Sequence, residues 1–194
     1  MLERRNITGI ILAGGKSSRM GTDKGFLLLK NKPFLQYSID ALKPLVSEII
    51  IVSDNSDYDV FGLKRVNDIT KNAGPVAGIC SGVEASSTEY NLILSCDIPL
   101  INSEILQKLI DNIDDTYQII QAESNGKSMP LIALYKKDVV ATFKAFLKAD
   151  ERRLRIVING CKSKNIVLEK KHGFSTINVN TQNELKAIED EYNH

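Results

Sequence analysis

The sequence is poor in the residues that metal centres and covalent catalysis draw on. Its two histidines, His172 and His194, and its three cysteines, Cys80, Cys96 and Cys161, form no ligand cluster, and no C-x-x-C spacing occurs, which speaks against zinc. With so few histidines, no Ser–His or Cys–His nucleophile pair is evident. An odd, scattered set of thiols points away from a disulfide framework and toward a reducing compartment. No apolar run approaches the ~20 residues of a membrane span. Met1–Arg5 leads directly into an apolar stretch, so no signal peptide is expected, and the cytoplasm is the expected location. The 25 basic and 24 acidic residues leave a net charge of +1, which implies no bulk attraction to nucleic acid or to a membrane. Repeats, low-complexity tracts and interdomain linkers are also missing.

What is present is an alternation of strands and helices. The 194 residues, 43% of them hydrophobic, suit one α/β domain over 1–194. Strand-like runs fall at 7–12, 48–53, 91–95, 117–122, 131–135 and 164–168, with helix-like stretches at 34–44, 76–87, 103–112, 137–148 and 182–192. The strands are almost continuously apolar, which means burial on both faces and hence a mostly parallel sheet between helix layers. The expected fold is therefore a three-layer α/β/α, Rossmann-like nucleotide-binding domain. In such sheets ligands bind beyond the carboxyl ends of the strands.

The stretch after the first strand carries the strongest signal. Leu12-Ala13-Gly14-Gly15 is followed by Lys16-Ser17-Ser18-Arg19 and, further on, Lys24. Glycines let a backbone turn sharply and approach a ligand, and successive N–H groups in such a turn make a concave anion site. A Walker A loop needs glycine where Ile10 stands. The dinucleotide fingerprint needs glycine at Lys16. Two readings remain: a merely structural turn, or a triphosphate loop of another kind, which the spacing of the basic residues favours. Arginine clamps oxygens in a fixed fork, whereas lysine is a mobile point charge. Arg19 is accordingly assigned to the β/γ phosphates and Lys24 to the α-phosphate region.

Asp97 is the second anchor. It follows the strand Leu92–Ser95 and precedes Ile98-Pro99. A carboxylate at a strand end fits Mg²⁺, which is commonly held by one or two carboxylates together with substrate phosphates. A helix-capping role falls better to Asn102 or Ser103. Asp68 is placed to accept from the N1–H and N2–H₂ edge of a guanine, or equally from ribose hydroxyls. Ser53 and Asp54 end the second strand and border the same pocket. Gly78, in Gly74-Pro75-Val76-Ala77-Gly78, gives either close approach to a flat ring or a tight helix start. Thr181 and Glu184 form a capping box, which leaves Asn178 and Asn180 free to meet a second substrate.

These residues together resemble a known family. L-A-G-G-x-S-x-R-M-G-x-x-K at 12–24, Asn67-Asp68, Gly74–Gly78, Cys96-Asp97-Ile98-Pro99, Glu151-Arg152-Arg153 and Asn178-Val179-Asn180-Thr181 are similar to the motifs of molybdenum cofactor guanylyltransferases, within the nucleotidyltransferase superfamily. The resemblance implies transfer of GMP from GTP to the phosphate of Mo-molybdopterin, with Mg²⁺ held by Asp97. It implies catalytic Arg19, Lys24 and Asp97, and nucleotide contacts from Leu12, Ala13, Gly14, Gly15, Lys24, Ser53, Asp68, Gly78 and Asp97. Nucleotide motifs then fall mainly in 7–100 and acceptor contacts mainly in 120–182, where Arg152, Asn178 and Asn180 meet the pterin and its phosphate, although the arginines also suit a solvated helix face. Transient contact with cofactor-delivery or molybdoenzyme proteins follows from that role, with a monomer or weak homo-oligomer. Two alternatives stand beside it. One is a cytidylyltransferase acting on molybdopterin or another phosphorylated acceptor. The other is a non-catalytic GTP-binding module.

Overall fold

A computed structural model describes residues 6–14, 23–70 and 73–192. At its centre lies strand β1 (Ile7–Leu12), every residue of which is buried. It pairs in parallel with β4 (Glu48–Val52) on one side and β6 (Tyr90–Ser95) on the other, so that Ile10 faces Ile50 and Ile93 across the two ladders. β5 (Lys64–Val66), β8 (Lys127–Lys136), β7 (Ile119–Ser124) and β9 (Ser163–Val167) complete a seven-stranded sheet in the order β5-β4-β1-β6-β8-β7-β9. β8 alone runs antiparallel to its neighbours β6 and β7. The sheet is mostly parallel, as the apolar runs predict.

Alternate residues of β1 feed opposite faces. Ile7 and Ile11 pack with helices α1 (Phe34–Leu42) and α3 (Ser103–Asp111), through Leu35, Leu42, Ile105 and Leu109. Ile10 and Leu12 pack with α2 (Gly74–Ala85), α4 (Val139–Lys148) and the short α5 (Leu154–Asn159), through Val76, Ile79, Phe143 and Val157. Each such side chain contributes about 1.5–3 kcal/mol on burial. The result is the expected three layers. Asn102 caps α3 by accepting from Ile105 N at 3.1 Å, and Pro75 occupies the first turn of α2. Among the described residues no helix is long and apolar enough to cross a membrane.

Several elements differ from the sequence reading. A two-strand hairpin of β2 (Leu28–Leu29) and β3 (Lys32–Pro33), together with β5, spans only two or three residues per strand, too few for a period to register. α5 hides in a charged run, its apolar face reduced to Leu154, Val157 and Ile158. β7 lies at 119–124 rather than 117–122, and β8 begins at Lys127 rather than 131, because Asn125 (φ 52°) and Gly126 (φ 72°) make a left-handed two-residue turn between them. That is the turn that an Asn-Gly pair favours.

β8 then departs from β7. Ala122 faces Met129, yet Gln121 faces Ala133, so Pro130-Leu131-Ile132 has no counterpart on β7. Proline lacks the N–H that a ladder needs, and the Pro130 carbonyl is instead held by the buried Tyr135 hydroxyl at 2.9 Å. Bulges of this kind re-aim side chains beside functional sites.

A third apolar cluster fixes the chain's last segment. Leu29 and Phe34 pack against Val179, Leu185 and Ile188, the last two from α6 (Gln182–Tyr192). Val179 N also donates to the Asp97 carbonyl at 2.8 Å. Residues 178–181 are thereby drawn across the carboxyl end of the sheet.

Candidate active site

The carboxyl ends of β1, β4 and β6 lie level, with Leu12 opposite both Val52 and Ser95. Backbone bonds carry the ladder one step further. Ala13 N donates to Val52 O at 3.0 Å, Cys96 N to Leu12 O at 3.1 Å and Ser53 N to Val66 O at 3.0 Å. Gly14, Asp54 and Asp97 therefore leave the sheet from fixed positions along one edge.

Beyond that edge lies a cavity of about 630 Å³ lined by Leu12, Gly14, Asp23, Ser53, Asp54, Asn55, Asp68, Gly74, Pro75 and Gly78, among others. A Cβ on Gly78 would lie 3.2 Å from Leu12 Cδ2 and 3.4 Å from Asp68 Oδ1. The glycine thus lets Asp68 approach α2 and keeps the cavity open. Asp68 N donates to Asp54 Oδ1 at 3.2 Å. The Asp68 carboxylate keeps a buried Oδ1 with no hydrogen-bond partner among the described residues. Burial, reinforced by the Asp54 charge, pushes its pKa up to about 6. Such an orphaned acceptor lowers the free energy of any ligand that brings it N–H or O–H donors.

A second cavity, of about 470 Å³, is lined by Ile98, Ser124, Asn125, Lys127, Ser128, Met129, Pro130, Arg155, Thr176, Asn178 and neighbours. Leu131, carried by the bulge in β8, lines both cavities. Lys24 Nζ reaches Asp97 Oδ2 at 3.2 Å and also donates to Asn180 Oδ1; these three residues line neither cavity themselves. The neighbours of these three residues face opposite ways: Asp23 lines the first cavity, whereas Ile98 and Asn178 line the second. Asp97 is 8% exposed, and its Oδ1 is buried without a hydrogen-bond partner among the described residues. Those residues contain no cluster of three or more His, Cys, Asp or Glu side chains able to hold a metal ion. A cation here would depend on Asp97 and on oxygens that a ligand supplies.

The structure brings together Lys24, Asp97 and Asn180, although the sequence pattern groups Asn180 with the second substrate rather than with Lys24. Asn180 is held there by the expected capping box. Asn180 N and Thr181 N donate to Glu184 Oε2 at 2.7 and 2.9 Å, and Glu184 N donates to Thr181 Oγ1 at 3.2 Å. Leu12, Gly14, Ser53, Asp68 and Gly78 gather at the first cavity, and Asn178 at the second. Ala13 is fully buried just past the end of β1. Arg152 is exposed, ion-paired with Asp150 at 2.8 Å, and absent from the lining of either cavity. Arg155 of the same run is the one that lines the second. Gly15 and Arg19 lie outside the described residues. Leu131, Ser124 and Asn125 line the cavities although the sequence reading passes over them. The Asn125-Gly126 turn signal marks the last two.

Two cavities that share Leu131 at the carboxyl edge of a mostly parallel sheet, with a lysine–aspartate contact whose chain neighbours line them, suit a nucleotidyltransferase. The MobA-like NTP transferase domain matches residues 9–165, and the chain belongs to that family. It is 36% identical over 182 residues to a probable molybdenum cofactor guanylyltransferase of Flavobacterium johnsoniae, covering 94% of this chain and 96% of that one. It is 31% identical to a molybdenum cofactor guanylyltransferase of Vibrio vulnificus, covering 95% and 96%. Among solved structures, molybdopterin-guanine dinucleotide biosynthesis protein A from Archaeoglobus fulgidus superposes with a TM-score of 0.82 at 18% identity, covering 96% of this chain and 98% of that one, a likeness of fold.

Proposed function

We propose that the protein transfers GMP from GTP to the phosphate of Mo-molybdopterin, giving the guanine dinucleotide form of the cofactor and pyrophosphate. The observation that carries this reading is the Lys24–Asp97–Asn180 contact, flanked in the chain by Asp23 of the first cavity and by Ile98 and Asn178 of the second, the two cavities sharing Leu131. A reaction that joins two phosphorylated molecules needs its charge-handling groups where the two meet. The donor occupies the first cavity, with its base edge on Asp68, and the acceptor occupies the second, near Asn178, Lys127 and Arg155. The names of the relatives support the choice of donor and acceptor.

An oxygen of the acceptor phosphate attacks the α-phosphorus of GTP. A new P–O bond forms, the bond from the α-phosphorus to the bridging oxygen breaks, and the electron pair leaves with pyrophosphate. Little covalent work falls to the protein, which positions two polyanions and neutralises the charge that develops. Lys24 supplies positive charge near the α-phosphate, and Arg19 is assigned to the departing β/γ phosphates. The Oδ1 of Asp97, without a hydrogen-bond partner among the described residues, fits a Mg²⁺ ligand, and that ion, when bound with the triphosphate, would offset charge on the phosphate oxygens. Asn180 holds the Lys24 ammonium from the other side. The same reading places the enzyme in the cytoplasm, where it hands its product to molybdoenzymes.

Thermal-shift measurement with GTP, CTP, ATP and UTP, each with Mg²⁺, tests the donor. A ligand that binds only the native state raises its melting temperature. GTP is expected to give the largest rise, because a mismatched base leaves buried polar groups unpaired. A larger rise with CTP would move the protein to cytidylyl transfer.

A further inference from the structure

A lysine head is only as well placed as the backbone beneath its flexible stem. Lys24 opens a single 3₁₀ turn, Lys24–Phe26, and the contacts under that turn are unusually directed. The residue before it, Asp23, accepts through Oδ1 from Gly25 N at 3.3 Å and from the Tyr58 hydroxyl, and through Oδ2 from Asn55 Nδ2 at 3.3 Å. Tyr58 is fully buried and stacked on Phe26, with ring centroids 4.7 Å apart. A Cβ on Gly25 would lie 2.6 Å from Tyr58 Cε1 and 2.8 Å from Cζ. The turn therefore rests directly on the tyrosine ring, and only glycine allows it.

We propose that Tyr58 is a positioning residue for Lys24, acting through Asp23. The proposal rests on the reading of Lys24 as the cation that meets the triphosphate. A phenylalanine at 58 would fill the same aromatic cluster, so packing alone does not call for the hydroxyl. Burying a hydroxyl is costly unless it is hydrogen-bonded, and here its bond goes to the carboxylate that ties down the Lys24 turn. Burial above all, with Cys96 and Asp23 adding to it, pushes the phenol's pKa upward, which keeps it an O–H donor at working pH. Tyr58 and Asn55 both belong to the segment after β4, where Asn55 N is fixed on Ser53 Oγ at 3.1 Å and Ser53 to Asn55 line the first cavity. The cation for the phosphates is thereby referenced to the wall of the pocket that holds the nucleotide.

A double-mutant cycle in single-turnover assays at high enzyme concentration, where residual rates are read, tests this. Tyr58→Phe is expected to lower the transfer rate about tenfold, given that misplacing a reacting group by about 1 Å costs about a hundredfold. The KM for GTP should change less than about twofold, because Tyr58 is fully buried and lines neither cavity. In the Lys24→Ala background, Tyr58→Phe should have no further effect, since the group it positions is gone. Asp23→Asn is the second variant, expected to lower the rate and to be non-additive with Tyr58→Phe. A Tyr58→Phe protein that only melts earlier, at full rate, overturns the proposal. So does a rate loss that persists undiminished in Lys24→Ala, and the reading of Lys24 then stands. Full turnover by Lys24→Ala alone overturns that reading and the proposal with it.

Discussion

Asn180 lies 156 residues along the chain from Lys24, yet its side-chain carbonyl accepts a hydrogen bond from the Lys24 ammonium. The same ammonium faces Asp97 at 3.2 Å. A residue of the C-terminal segment is thereby part of the charge centre. Its loss is expected to act on chemistry as well as on acceptor binding.

Asn180→Ala should lower kcat for transfer about tenfold or more, since a hydrogen bond to a charged group contributes about 1.5–3 kcal/mol and about 1.4 kcal/mol is a tenfold change in rate. Arg152→Ala should be nearly silent, because Arg152 sits on the surface with Asp150 and exposed pairs contribute little. Steady-state pyrophosphate release with varied acceptor separates the cases. A rise in KM for the pterin at unchanged kcat would return Asn180 to a pure acceptor contact.

Asp97→Asn should cut turnover about 10²–10³-fold, the usual loss when a preorganised charge partner is removed. The fold should persist, because the Asp97 carbonyl, not its carboxylate, anchors Val179. Turnover against Mg²⁺ concentration, with circular dichroism as a control, reads both. Wild-type rates at saturating Mg²⁺ in the folded variant would remove the metal role.

Asp68 predicts two opposite pH effects. Its folded pKa of about 6 lies above the ordinary value of 3.8, so in the apo protein the folded state binds the extra proton. Stability from this group falls as pH rises from about 4 through 6, and the ionised form at pH 7.5 is a cost. Asp68→Asn should therefore raise the apo melting temperature at pH 7.5, with the gain vanishing near pH 4. Donors from the base stabilise the ionised form, so GTP binding should weaken below about pH 6 in the wild type and lose that dependence in the variant. A pH-independent GTP affinity in the wild type would show that the Asp68 carboxylate does not meet the nucleotide.

Two glycines of α2 should separate binding from stability. A Cβ at Gly82 would lie 2.5 Å from Ile10 Cγ2 and 3.0 Å from Val52 Cγ2, so Gly82→Ala should cost about 1–3 kcal/mol of stability through overpacking with little change in KM. At Gly78 the nearest atoms are Leu12 Cδ2 and Asp68 Oδ1 at the cavity wall. Gly78→Ala should weaken GTP binding with a smaller change in stability. Calorimetry and chemical denaturation on both variants check the contrast.

Much of this architecture was legible in the chain because the informative segments are long or chemically marked. Ile7–Leu12 and Tyr90–Ser95 are mostly apolar, and the residues that follow them, Gly14 and Asp97, fall at the same edge by the rule of parallel sheets. Asn102 and the Thr181–Glu184 box announce their helices by capping chemistry. The hairpin β2–β3, β5 and α5 escaped because two to six residues are too few to set a period. The partner of Lys24 escaped for a different reason. Asn180 reaches it only because Val179, Leu185 and Ile188 find a buried place against Leu29 and Phe34, a tertiary contact that no local pattern encodes. The same holds for Leu131, placed between the cavities by a bulge that depends on Pro130 and on the distant hydroxyl of Tyr135.

The most direct test of the account is product analysis with purified protein, Mo-molybdopterin, Mg²⁺ and each nucleoside triphosphate in turn. Formation of molybdopterin-guanine dinucleotide from GTP, with one pyrophosphate released per dinucleotide and far less product from CTP, ATP or UTP, is the predicted result. GTP binding without pyrophosphate release, or a clear preference for CTP as the donor, would contradict it.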